Sequence, residues 1–226
     1  MRKVFILQTE DYQHSTAKEW AEQLSKSFNF EIDFFNFSKN ISAENLSKTL
    51  EEKDAALLLI ELTNKKNIQQ YLNLCRNLRI PYLFLQPNTK YNLSKISLPV
   101  TFLVEDKEKA PFASALGRFC NSQIIIYKPK DYGSKAQETI NQCKTLFDSF
   151  SLNYIEKQGK KGSFGVEKEA VLNAKTDGCS LVIISASREY GLDDIIFGSK
   201  EKKILQLAKV PVLLINPRAD LYVLCD

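Results

Sequence analysis

Gly198 and Ser199 are the residues of this chain whose types suit an anion best. Glycine gives a turn its freedom, and the serine after it can cap the free N–H groups of the helix it opens. Those N–H groups and the helix dipole attract negative charge. Two acidic pairs, Glu10-Asp11 and Glu105-Asp106, each follow an apolar run. They read as solvated turns that favour the next helix N-terminus. The segment Gln158 to Gly165 (QGKKGSFG) reads as a mobile basic loop, able to clamp an anion or simply to connect two elements. It lacks the G-x-x-x-x-G-K-[ST] order of a phosphate loop, and residues 1–116 contain no glycine at all. His14 is the only histidine, with no serine elbow beside it, so no catalytic set and no metal site is expected. Five widely spaced cysteines with no C-x-x-C read as small buried hydrophobes in a reducing cytoplasm.

The elements that must position Gly198-Ser199 are a buried strand, Leu181 to Ile184, and a second strand, Val212 to Ile215, headed by Pro211. The first is a continuous apolar run, as in a parallel strand covered on both faces. Proline cannot donate to a ladder, so the second strand should begin at Pro211 and lie at a sheet edge.

Upstream, KVFIL makes a first strand. Thr16-x-x-Glu19 predicts a capping box for a helix burying Ala17, Trp20, Ala21 and Leu24. Strands follow near Phe30–Phe37, at Ala55–Ile60 and at Pro81–Leu85, with helices after Ser42 and around Ile68–Leu78. Pro87–Pro99 reads as a linker. The pattern then restarts with strands at Val100–Val104, Gln123–Tyr127 and Leu152–Ile155. The helices between them bury Ala113 and Leu116, then Ala136, Ile140, Cys143 and Phe147, and a third runs near Val166–Lys175.

The halves look like copies. RIPYLFLQPN (Arg79 to Asn88) matches KVPVLLINPR (Lys209 to Arg218) in character at each position, and each first strand runs into an acidic pair. The first copy is shorter, and part of its shortfall falls where the second carries Tyr190 to Ser199. The expectation is a tandem duplication: a reduced unit at 1–88, a linker at 89–98, a full unit at 99–218 and a tail at 219–226. Alternating strands and helices imply an α/β fold of two parallel-sheet, Rossmann-like units, with any ligand beyond the carboxyl ends of the strands.

The net charge of +4 divides evenly between the halves, so no basic arm points to nucleic acid. No apolar run approaches a membrane span, and MRKVFILQTEDY is too short in apolar residues for a signal peptide.

The stretch from Ser180 to Arg218 resembles the C-terminal signature of the universal stress protein family, whose nucleotide-binding members carry G-x2-G-x9-G-[ST] between the same two strands. Counted back from Gly198-Ser199, the first two glycines fall on Arg188 and Ser185. The resemblance implies a candidate nucleotide site of Glu105, Ser185, Arg188, Gly198 and Ser199, with Glu105 in place of an aspartate that contacts the ribose or adenine side. Arg188, a long cation where close backbone approach is needed, implies that ATP binding is lost or altered. By the same analogy Pro81–Leu85 and Pro211–Ile215 would pair within one chain as a pseudo-dimer. The expected function is cytoplasmic stress response through binding or signalling, with no enzyme activity, no cofactor and a protein partner or self-association. An adenine nucleotide in the second unit is the alternative, and a nucleotide hydrolase of the related α-hydrolase group the second alternative.

Overall fold

The computed structural model describes residues 1–8, 16–37, 41–130, 134–187 and 199–218. Glu10, Asp11, His14, Arg188, Tyr190, Gly198, Cys225 and the tail at 219–226 lie outside the described residues.

The first half runs β1 (Lys3–Gln8), α1 (Thr16–Phe28), β2 (Glu31–Asn36), α2 (Ala43–Glu52), β3 (Ala55–Glu61), α3 (Ile68–Cys75) and β4 (Tyr82–Leu85). The second runs β5 (Lys95–Pro99), a tight 3-10 turn (Val104–Lys109), α4 (Ala110–Cys120), β6 (Gln123–Lys128), α5 (Ser134–Ser149) and β7 (Tyr154–Gln158). It ends with α6 (Ser163–Asn173), β8 (Leu181–Ser185), α7 (Lys200–Leu207) and β9 (Val212–Ile215). These strands form one sheet in the order β2-β1-β3-β4-β9-β8-β5-β6-β7. Every neighbouring pair is parallel except β4 and β9, which run antiparallel.

The inner strands are apolar because helices cover both faces of the sheet. One face buries α2, α3, α6 and α7 against Phe5, Leu58, Phe84, Val182 and Leu214. The other buries α1, α4 and α5 against Ile6, Leu59, Leu83, Ile183 and Leu213. The predicted helical faces are buried, including Ala17, Trp20, Ala21 and Leu24 on α1 and Ala136, Ile140, Cys143 and Phe147 on α5. Ser42 caps α2 by accepting from the Asn45 N–H at 3.1 Å.

Several local expectations are corrected. The stretch read as linker contains β5, and the strand expected at Val100–Val104 is displaced upstream by five residues. Lys95-Ile-Ser-Leu-Pro conceals a strand because Ser97 is polar yet fully buried, and Pro99 closes the strand where its missing N–H does least harm. The rest of that stretch is docked on α1. The Trp20 indole N–H donates to the Thr89 carbonyl at 3.0 Å, the Asn88 N–H to Thr16 Oγ1 at 2.8 Å, and the Tyr91 N–H to Glu19 at 3.3 Å. Thr16 and Glu19 therefore serve this connection rather than a reciprocal capping box.

Pro211 heads a strand at the edge of its own half but in the middle of the whole sheet, since β9 pairs with β4 as well as β8. The antiparallel register runs from Tyr82↔Leu214 through Leu83↔Leu213 to Phe84↔Val212, so the ladder stops one residue short of the proline. The third strand of the second half, expected at Leu152–Ile155, is β7 at Tyr154–Gln158. Among the described residues of the first half no strand answers to β7 and no helix to α5. That accounts for more of the shortfall than the segment against Tyr190–Ser199.

Candidate functional site

Strand order reverses between β5 and β8, with β6 on one side and β9 on the other. The crevice beyond their carboxyl ends is where an open α/β sheet takes a ligand. Ser185 ends β8 there, and Ser199 heads α7, capping it by accepting from the Lys202 N–H at 3.2 Å. Both serines are buried. Glu105 is also buried, on the 3-10 turn after β5. Of the five candidate residues these three are described; Arg188 and Gly198 lie outside the described residues.

The side chain that reaches Ser185 is that of Asp106, the neighbour of Glu105. The Ser185 hydroxyl donates to Asp106 Oδ1 at 2.8 Å, and the Thr101 N–H donates to Oδ2 at 2.5 Å. Lys109, one turn on and fully buried, lies 3.0 Å from Asp106 Oδ1 and donates to the Pro99 carbonyl at 2.6 Å. Its ammonium is also 3.7 Å from Glu167 of α6. Glu167 accepts from the Ser185 N–H at 3.3 Å and from Lys200 at 2.7 Å, while Lys200 also donates to the Ser185 carbonyl at 3.2 Å. Beside it Glu201 accepts from both the N–H and the hydroxyl of Ser187 at 2.7 Å. Asp106, Lys109, Ser185, Glu167 and Lys200 thus form one ion network across the switch point, buried except at Lys200.

The electrostatics follow from that packing. Burial works to raise the Asp106 pKa, but the Lys109 ammonium, the Thr101 N–H and the Ser185 hydroxyl outweigh it and hold the carboxyl below its usual range. Burial works to lower the Lys200 pKa, and the Glu167 carboxylate outweighs it, leaving the ammonium harder to deprotonate than usual. A serine beside a carboxylate superficially suggests a nucleophile and its base. A carboxylate with lowered proton affinity, already held by an ammonium, is a poor base for that purpose.

Sequence reasoning named Glu105 and Ser185 but missed Asp106, Lys109, Glu167, Lys200 and Glu201. The available signals were slight. Lys109 stands three residues after Asp106, and Glu167 falls between Val166 and Ala170 on the inward face of α6.

The glycine-rich loop is tied down. The Lys160 and Lys161 N–H groups donate to the Glu169 carboxylate at 2.8–3.0 Å, and the Gly159 N–H donates to the Lys128 carbonyl at 2.7 Å. A Cβ on Gly159 would stand 2.9 Å from that carbonyl oxygen, so close backbone approach explains the glycine. Gly162 precedes α6, and the Phe164 ring is exposed against Phe102. Among the described residues no three His, Cys, Asp or Glu gather to hold a metal, and no helix is long and apolar enough to cross a membrane.

No protein-family model matches the chain, and no curated protein matches it in sequence. Solved structures do. A universal stress protein from Archaeoglobus fulgidus DSM 4304 superposes with a TM-score of 0.62 at 10% identity, covering 90% of this chain and 77% of that one. A protein assigned provisionally to the same group, from Pseudomonas aeruginosa UCBPP-PA14, gives 0.58 at 10% identity over 95% and 93% of the two chains. A functionally unknown protein from Pseudomonas aeruginosa PAO1 gives 0.53 at 13% identity over 95% and 82%. The chain has the fold of the universal stress proteins, a mostly parallel Rossmann-type α/β sheet.

Proposed function

We propose that this chain is a tandem protein of the universal-stress type that acts in stress response by binding a protein partner, without nucleotide and without turnover. The observation that carries the reading is the ion network at the switch point. A triphosphate entering there would meet three buried carboxylates, Asp106, Glu167 and Glu201, against two ammoniums already engaged. Recruiting Lys200 to a phosphate would strip Glu167 of its closest cation and leave a buried charge short of a partner, which costs several kcal/mol. In this reading the network stands in for the phosphate.

The tandem part of the reading rests on the β4–β9 pairing, whose central residues hold matching places in the repeated stretches. In this reading the halves form an intramolecular pseudo-dimer.

A second reading, an adenine-nucleotide sensor built on the second half, is favoured by Lys200. Its side chain is 35% exposed and sits at the capped start of α7, so it can turn outward. Calorimetric titration of ATP with Mg2+ separates the two. The first reading expects no heat and no thermal shift up to millimolar ATP. A Kd near the micromolar range, about −8 kcal/mol, establishes the sensor instead, and steady release of phosphate establishes a hydrolase.

A further inference from the structure

On the opposite face of the sheet from α3 and α7, the equivalent helices α1 and α4 lie over the junction of β4 and β9. They touch through Phe28 and Phe119, whose ring centroids are 5.2 Å apart. Between them lies an apolar cavity of about 400 Å³. Its floor is Leu57 and Leu181 with Leu83 and Leu213, two pairs that hold matching positions in the two halves. Trp20 lines one wall and Ala115 the other. Arg2 is the one charged residue on the lining; it is exposed and, among the described residues, pairs with no carboxylate.

We propose that this seam cavity binds an amphiphilic monocarboxylate, a hydrocarbon chain lying across the paired leucines with its headgroup at Arg2. The volume falls within that of small-molecule sites, and the lining has the usual makeup of mostly apolar walls with one orienting polar group. An apolar cavity of this kind favours a hydrocarbon over water, which would find few partners in it. The single cation selects an anionic head over a neutral or cationic one. The site stands apart from the switch point, since it lies over the β4–β9 junction rather than beyond the carboxyl ends of β5 and β8. Its occupancy therefore does not depend on whether ATP binds.

Trp20 is the only tryptophan in the chain, so all tryptophan emission comes from the wall of this cavity. The test is titration of the whole protein with dodecanoate below its micelle concentration, followed by Trp20 emission. Dodecyltrimethylammonium serves as the control with the same tail. Dodecanoate should saturate the signal and bind about tenfold tighter than the cationic control. Ala115→Phe, which fills the cavity from a half-exposed position, should abolish the saturable change. Arg2→Glu, on the surface, should weaken dodecanoate about fivefold and narrow the preference for it. The proposal is overturned if Trp20 does not respond to dodecanoate, if Ala115→Phe binds as well as the natural chain, or if Arg2→Glu leaves the headgroup preference intact. It is overturned equally if the emission follows protein concentration instead of dodecanoate, which would mark the cavity as a contact between two copies of the chain.

Discussion

Leu83 and Leu213 stand opposite each other at the centre of the antiparallel ladder between β4 and β9, and each is the fifth residue of its copy of the repeated ten-residue stretch. The pairs on either side, Tyr82↔Leu214 and Phe84↔Val212, exchange equivalent positions across that centre. A local twofold therefore passes through the seam. It relates α1 to α4 on one face of the sheet and α3 to α7 on the other.

The seam is not symmetric in its polar bonds, and the difference can be tested. Asn216 donates to the carbonyls of Cys75 at 2.7 Å and Leu78 at 2.9 Å and accepts from the Tyr82 hydroxyl at 2.8 Å. Its counterpart Gln86 has no such bonds: its side-chain amide is buried and, among the described residues, has no partner. Asn216→Ala should lower stability by about 1–3 kcal/mol, because three polar groups of the first half each lose one hydrogen bond. Urea unfolding followed by Trp20, which belongs to the first half, should show the lower midpoint although the substitution is in the second. An unchanged Trp20 midpoint would mean that the two halves unfold independently.

Lys109 tests the ion network. Its side chain and that of Asp106 are fully buried, so Lys109→Met leaves the Asp106 carboxylate without its nearest cation. The loss should be about 3–5 kcal/mol. Adding Asp106→Asn to Lys109→Met should recover part of it, since the stranded charge is then gone. Chemical denaturation of both single variants and the double variant gives the coupling, and simple additivity would show that the pair does not interact.

Acid should reach the same network through Asp106. Its carboxyl titrates below its usual range in the folded protein and near pH 3.9 in the unfolded chain. The unfolded state then binds more protons over the interval between the two values. The Asp106 contribution is accordingly complete above the unfolded pKa and is lost as pH falls through the folded one. Stability measured from pH 6 to pH 2 should fall more steeply for the natural chain than for Asp106→Asn. Parallel curves would remove Asp106 from the acid response.

Much of the architecture was legible in the residues. The runs Ala55–Ile60, Tyr82–Leu85, Leu181–Ile184 and Val212–Ile215 are apolar because both faces of the sheet are covered, and the helical faces of α1, α3 and α5 followed from their period. Strand β5 was hidden because Ser97 is buried by the tertiary structure, not by its own polarity. The reading of Pro211 as an edge signal was sound for one half, and only the pairing with β4 made that edge an interior. At the candidate site the residues singled out from the chain included Glu105 and Ser185, while the carboxylate that bonds Ser185 is that of Asp106. The 3-10 turn sends Asp106 toward Ser185, a direction that local sequence does not carry.

Taken alone, the sequence determined the order of strands and helices, the repeat of the closing strand and the cap on α7, since each depends on neighbours a few residues away. The tertiary structure alone decided that Glu167 and Lys200 close over Ser185, that Asn216 holds the end of α3, and that α1 and α4 leave a cavity between them. Those contacts join residues 33 to 141 positions apart in two of these cases. They arise from how whole helices lie on a shared sheet, which no local period or spacing encodes.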